Sequence, residues 1–277
     1  MREKGMRKLK TIFESANMIK IANGISIVSP YPALLLEKEN AIVVSDVHIG
    51  IEAAKNSRGT QIPNCTIAAV IDSVKRPVER MSARWVYILG DIKHRFGPPN
   101  ETERMLIEKF VREIRKAGAE IIVIRGNHDI NISPMLQELH VKYFNNLILE
   151  SGILLTHGHK RFRIPSSKKI EFRSKLTIIG HEHPAIRLSD DLGVPHIYKA
   201  FLHVPGNGSS IGDVIVLPSV SFLAYGSCVN EMEDHEYLSP YLRGNPNLKK
   251  ARPYAIEVGG LVLPFPELGR LSRISSA

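Results

Sequence analysis

The 277-residue sequence predicts a mixed α/β sandwich built as one domain. Three observations predict it. Apolar runs of strand length alternate with helical periodicity in the first half, and short strands separated by loops dominate the second. No Gly/Ser-rich linker or internal repeat divides the halves. A purely doubly wound sheet would need more helices in the second half.

The elements follow in order. After a basic leader over residues 1–20, GISIVS and PALLLE, the polar turn KEN and then AIVVSD read as strands in a hairpin-like start. Asn64 to Val74 is helical in period, with Pro77 ending or restarting the helix. WVYILGD is a buried strand running into a loop. Asn100 is placed to cap the helix in ETERMLIEKFVREIRKAG; Met105, Ile107, Phe110, Val111 and Ile114 form its apolar face and Gly118 stops it. IIVIR is the next strand, followed by a short helical piece around PMLQELH. ILLT, LTIIG, DVIVLP and AIEV are short strands, and residues 228–277 form an extension that completes or packs on the sandwich.

Composition bounds the function. With 43% hydrophobic and 23% charged residues the chain is of the globular type, and no apolar run reaches the eighteen or so residues of a membrane span. The charged start, MREKGMRKLKTIFES, lacks a signal peptide's apolar stretch, so a cytoplasmic location with no membrane partner is expected. Cys65 and Cys228 are not a metal-type pair and are expected as reduced, buried thiols. A formal charge of +9 favours anionic partners such as phosphate esters or nucleic acid; a generally charge-rich surface is the alternative.

Five apolar runs end in the same polar chemistry. AIVVSDVH ends in Asp46 and His48, WVYILGDIKH in Asp91 and His94, and IIVIRGNHD in Asn127, His128 and Asp129. ILLTHGH ends in His157 and His159, and LTIIGHEH in His181 and His183. Ligand sites collect at the carboxyl ends of strands, where loops converge on a rigid sheet. Residues i and i+2 share a strand face, so Asp46 with His48, and His181 with His183, can each aim at one point if the backbone is still extended. Glycines before Asp91, Asn127 and His181 permit close backbone approach. So many ionisable groups cannot share a buried cleft uncompensated, and divalent cations resolve that cost. Carboxylate, imidazole and amide oxygen suit Mn, Fe, Co, Ni or Zn, with Mn the leading expectation. Roughly seven candidates exceed the needs of one open catalytic ion and fit two ions about 3.5–4 Å apart.

In that order, DVH, GDIKH, GNHD, THGH and GHEH resemble the motif set of the calcineurin-like metallophosphoesterases over roughly Ala41 to Pro184. DVHIG, LGDIKHRFG and IVLPSVSFLAYG look closest to archaeal SbcD-related phosphoesterases and to the bacterial ones found with DNA ligases and helicases. The resemblance implies a four-layer αββα sandwich of two mixed sheets flanked by helices, with the site on loops at one edge. It implies Asp46, His48 and His183 on a first metal, Asn127, His157 and His181 on a second, and Asp91 bridging them. His128 would face substrate, with Asp129 orienting and charging its ring. Many members carry Asp or Asn three residues after the GD aspartate, where this chain has Lys93 and His94; His94 is left either against substrate or packed behind Asp91.

The activity so implied is hydrolysis of phosphodiesters in nucleic acid or nucleotides, by a hydroxide shared between two divalent ions and attacking in line. A small-molecule phosphatase or cyclic phosphodiesterase is the alternative within enzymology, and a non-catalytic nucleic-acid-associated scaffold subunit the alternative outside it. His159 and Arg161 are further candidates, for substrate contact or for support of the ligands. They open HKRFRIPSSKKIEFRSK, whose seven basic residues against one acid could track a nucleic-acid backbone or form a solvated loop. PSVSFLAYGS is either part of the substrate wall or a strand-turn segment closing the second sheet.

Overall fold

The computed structural model describes residues 18–56, 59, 66–162, 174–206, 211–257 and 260–274. Its first sheet grows in chain order. β1 (Met18–Ala22), β2 (Ile25–Val28), β3 (Leu34–Leu36) and β4 (Ala41–Ser45) form an antiparallel meander. After α1 (Ile51–Asn56) and α2 (Thr66–Met81), β5 (Trp85–Leu89) joins β4 in parallel. α3 (Glu101–Lys116) leads to β6 (Glu120–Ile124), and α4 (Ser133–Glu138) to β7 (Lys142–Phe144), each strand again parallel to the last.

The second sheet is also mixed. β8 (Leu147–Ile148) pairs antiparallel with β9 (Ile153–Leu155), which runs parallel to β10 (Ser174–Ile179). β11 (Pro184–Ser189) and β12 (Pro195–Val204) form a hairpin, and β13 (Ile211–Val216) sits between β12 and β10. β14 (Ser227–Cys228) pairs with the outer edge of β11, while β15 (Arg252–Ile256) pairs with both β12 and β16 (Val262–Pro264). α5 (Leu268–Ile274) follows.

Two mixed sheets face each other as expected. Ile27, Val43, Leu89 and Ile124 of the first sheet meet Leu155, Ile178, Phe201 and Ile215 of the second across a fully apolar seam. Burying such a side chain is worth roughly 1.5–3 kcal/mol, so this seam fixes how the strand ends of both sheets line up. The outer face of the first sheet is covered by α2, α3 and α4 through Val74, Val78, Ile107, Phe110 and Leu136. Over the second sheet the cover is thinner: among the described residues it is mostly loop from Val229 to Ala251, with a 3-10 turn at Leu248–Lys250 and α5.

Several expectations need correction. α2 runs straight through Pro77. An interior proline costs about 3 kcal/mol, but Val70, Ile71, Val74 and Val78 are all buried along that helix and together outweigh it. Met105 is 57% exposed and does not belong to the α3 face. The inward stripe is Glu103, Ile107, Phe110, Val111 and Ile114, and Met105 is rotated about 200° from Glu103 at 3.6 residues per turn. Asn100 does cap α3, in a capping box with Glu103. Cys228 is a free thiol that is only half-buried, in edge strand β14; Cys65 lies outside the described residues. β1, β7 and the β11–β12 hairpin are strands that the sequence reading did not register. No helix among the described residues is long and apolar enough to cross a membrane.

Candidate metal centre

Sheet ends from both halves converge on one cleft. Seven of the eleven histidines meet there ring to ring. The ring of His48 lies 5.2 Å from those of His94, His128 and His183, and that of His157 lies 5.0 Å from His181 and 5.2 Å from His159.

The approach is not the extended one the i, i+2 pattern suggested. Asp46, His48, Asp91, His181 and His183 all have positive φ, between 48° and 67°. Non-glycine residues rarely adopt this left-handed conformation, and here the surrounding contacts hold it. The Asp46 N–H donates to the Gly90 carbonyl and the His48 N–H to that of Asp91. The Asp46 carboxylate accepts the His181 N–H at 3.0 Å, locking the second sheet's GHEH turn to the first sheet's DVH turn. Two glycines allow this closeness. A Cβ on Gly180 would fall 2.5 Å from Asp46 Oδ2, and one on Gly126 2.1 Å from Asp91 Oδ1.

Among the described residues three sets of donor atoms result, one of them joining His48 to His94 and His128. One atom each from Asp46, His48 and His183 lies within 4.8 Å of the others, and the same holds for Asp91, His157 and His181. Asn127 Oδ1 adds to this last set, 3.0 Å from His157 Nε2, while Asp91 Oδ2 sits 3.4 Å from that nitrogen. The Leu89 carbonyl, 2.8 Å from His157 Nδ1, accepts that nitrogen's proton and leaves Nε2 facing Asn127 and Asp91.

Does this set fit divalent cations? Asp46 Oδ1 is fully buried and has no hydrogen bond, although His183 Nε2 is only 3.0 Å away. A buried carboxylate oxygen facing an imidazole nitrogen without hydrogen-bond geometry is a ligand pair waiting for a cation. The mixed N/O donor set suits Mn, Fe, Co, Ni or Zn. Electrostatics agree. Against the opposing effect of burial, the rings of His183, His157 and His48 hold the Asp46 carboxyl well below the usual range. Burial keeps His48 and His181 neutral, with pKa values lowered to about 3 and about 4, the form that coordinates metal. His157 is the exception: burial opposes its charge, but Asp91 and Asp46 push its pKa up to about 9.

Around this set other residues act as braces. The Asp129 carboxylate accepts the N–H groups of Asp91, Ile92 and Gly126 at 2.8, 3.0 and 2.8 Å. The expectation that Asp129 orients the His128 ring is therefore corrected, because both of its oxygens serve backbone donors. Burial and the Asp91 charge push Asp129 up to about 6, while its N–H donors favour the ionised form. The His128 ring instead meets the His94 carbonyl through Nδ1 and stacks on Phe96 at 4.0 Å. His94 Nδ1 is 3.4 Å from His48 Nδ1, and its ring stacks at 5.6 Å on that of His128.

His159 joins the cleft, with a buried Nδ1 that lacks a hydrogen bond. Arg161 donates Nε and Nη2 to the Pro240 carbonyl at 3.1 and 2.8 Å, so it braces the wall. Residues 163–173 of the basic stretch lie outside the described residues.

Sequence reasoning missed other braces. Lys93, fully buried, reaches the carbonyls of Arg95 and His128. Glu103 at the start of α3 accepts the Arg95 N–H at 3.2 Å. Glu182 accepts the Ser239 N–H at 2.9 Å. Lys199, whose pKa burial lowers to about 8, donates to the carbonyls of Ser219 and Ser221. Of these, only Glu103 carried a local signal, its capping-box spacing from Asn100. The segment PSVSFLAYGS is more than a closing strand. Ser219 donates its hydroxyl to the Asp46 carbonyl at 2.8 Å and Val220 its N–H to the Ser45 carbonyl, so the segment backs the DVH turn before β14 closes the sheet.

The Calcineurin-like phosphoesterase family model matches residues 40–226. The chain belongs to that family and is a metal-dependent phosphoester hydrolase. Among solved structures it is similar to the Pseudomonas putida nuclease MPE, with a TM-score of 0.58 and 18% identity over 90% of this chain and 98% of that one. It is also matched to Yfce, a phosphoesterase from E. coli, at a TM-score of 0.38 and 17% identity over 82% of this chain and 98% of that one. Curated protein sequences give no match.

Proposed function

We propose that this hydrolase cleaves phosphodiesters, with nucleic acid or a nucleotide-derived diester as substrate, using two divalent cations. Asp46, His48 and His183 would hold one cation, Asn127, His157 and His181 the other, and Asp91 both. The observation that carries the reading is the pair of adjacent donor sets, each within 4.8 Å, with Asp91 in one and 3.9 Å from His128. Cations bound there would lower the pKa of a shared water and offset charge on the phosphoryl oxygens. The chain's own residues do the rest. His128 Nδ1 is engaged by the His94 carbonyl, so proton exchange with a substrate oxygen falls to Nε2. Phe96 and His94 stack on that ring and hold its plane. Lys93 and Asp129 fix the backbone that carries it.

The net charge of +9 and a nuclease among structures of this fold support the nucleic-acid reading, as does the likeness of DVHIG and LGDIKHRFG to SbcD-related and ligase-associated phosphoesterases. The test is hydrolysis of bis(p-nitrophenyl) phosphate and of the monoester with Mn2+, with Ni2+ and with chelator. Metal-stimulated diester cleavage is expected, lowered at least about 100-fold in His128→Ala, the low end of general acid–base contributions. Unchanged rates in both Asp91→Ala and His128→Ala would overturn the mechanism, and a monoester outrunning the diester would favour a phosphatase.

A further inference from the structure

We propose that a cavity of about 470 Å³ beside Asn127 and His159 is a nucleotide subsite, holding the unit of a nucleic-acid strand next to the scissile phosphate. This rests on the phosphodiesterase reading above and adds to it the residues that would choose a polynucleotide. The cavity shares Asn127 with the proposed second metal set, so its occupant would be continuous with the group being cleaved.

Its chemistry is specific. Arg125, Lys160 and Arg161 line it, and among the described residues no acidic one does. Arg125 and Lys160 are exposed, and among the described residues neither side chain has a hydrogen bond or ion pair. Cations gathered at one hollow without a counter-charge favour an anion there, and a neighbouring phosphodiester supplies one. Arg161 is already pinned to Pro240, which sets the wall without using up the other two cations.

A simple anion would need only those charges. The remaining walls suit a nucleoside: Asn145 and Asn146 offer both donors and acceptors for a base edge, and Phe162 offers an aromatic face. The volume falls within the roughly 300–1,000 Å³ of pockets that enclose small organic ligands.

The experiment measures binding, separately from turnover. A fluorescein-labelled, hydrolysis-resistant phosphorothioate oligo(dT) of roughly twelve nucleotides, within the ~4–16 of common single-strand sites, is titrated onto Mn2+-loaded protein across a salt series. Arg125→Glu with Lys160→Glu should weaken binding about tenfold or more and flatten the salt slope by about 1.4, at ~0.7 per lost phosphate contact on a single strand. Asn145→Ala with Asn146→Ala should weaken binding about threefold or more while leaving the slope in place. Lys249→Glu with Lys250→Glu, on the outer face of the second sheet, is the comparator and should leave the slope unchanged.

If the cavity charge reversals do no more than this comparator, the subsite is overturned. If they weaken binding but the asparagine pair does not, and inorganic tripolyphosphate competes as well as the oligonucleotide, the cavity is an anion site without nucleotide recognition and the proposal also fails. Absence of Mn2+-stimulated hydrolysis of bis(p-nitrophenyl) phosphate by the wild-type protein would sink the parent reading alone, since the binding series does not depend on turnover.

Discussion

Asp129 Oδ2 accepts the backbone N–H of Asp91 at 2.8 Å, joining the GNHD loop to the GD loop across two neighbouring strands. The same carboxylate takes the N–H groups of Ile92 and Gly126, so one buried side chain positions a proposed bridging ligand and the turn before Asn127. Asp129→Ala would leave three buried donors unpaired, at roughly 1–3 kcal/mol each before relaxation. The expected loss is about 3–5 kcal/mol in urea unfolding, with Asp129→Asn losing less because one acceptor oxygen remains. A destabilisation below about 0.5 kcal/mol for the alanine variant would contradict this role.

Close approach at Gly126 makes a sharper prediction. Alanine there would place Cβ 2.3 Å from the Asp91 backbone nitrogen, so the two loops must part. Gly126→Ala should cost about 3 kcal/mol or more, at the upper end of overpacking effects, and should abolish metal-stimulated hydrolysis. Gly24 also has positive φ, but a Cβ there meets nothing within 4 Å. Gly24→Ala should cost only the conformational penalty of about 1–2 kcal/mol and keep full activity. Thermal melts and diester assays of the two variants, run side by side, decide it.

Metal content separates the two donor sets. Wild-type protein dialysed against Mn2+ is expected to retain about two equivalents by elemental analysis. His183→Ala or Asp46→Ala should lower that to about one, leaving the set around His157 loaded. Equal metal content in wild type and both variants would remove Asp46 and His183 from the ligand roster.

Acid should loosen the centre. Burial lowers the pKa values of His48, His159 and His181 to about 3, 4 and 4, from 6.5. The unfolded chain therefore binds more protons at these rings below pH 6.5, so stability present above that pH is lost as pH falls toward 4. Asp129 and His157, with raised values of about 6 and 9, act in the opposite sense, as their contributions are lost when pH rises through those values. Below pH 6.5 His157 is protonated in both states, so three groups act against Asp129 alone, and with the requirement for neutral imidazole in metal binding they predict a falling melting temperature and released metal between pH 6.5 and 4.5. A melting temperature that holds or rises over that interval would count against it.

On α3, the correction to the apolar face can be measured. Met105→Gln should change stability by no more than about 0.5 kcal/mol, since that side chain is 57% exposed. Ile107→Ala, at 0% exposure, should cost about 2–5 kcal/mol.

Local sequence was informative wherever the physics is local. The five polar strand ends, the capping of α3 by Asn100 and the antiparallel start were legible because short-range periodicity and turn chemistry specify them. Pro77 was misread because only the burial of Val74 and Val78 tells that its cost is met. Lys93 and Lys199 were invisible as braces: each serves carbonyls that only folding brings near.

The sequence by itself determined which chemistry is present: carboxylates, imidazoles and an amide at the ends of successive strands, in a family's order. The tertiary structure alone decided how they aim. The left-handed turns at Asp46, His48, Asp91, His181 and His183 are unfavourable in isolation, and they are held only because two sheets, packed face to face, let each loop hydrogen-bond to its neighbour. Direction of a side chain depends on contacts across many tens of residues, and no local pattern encodes that.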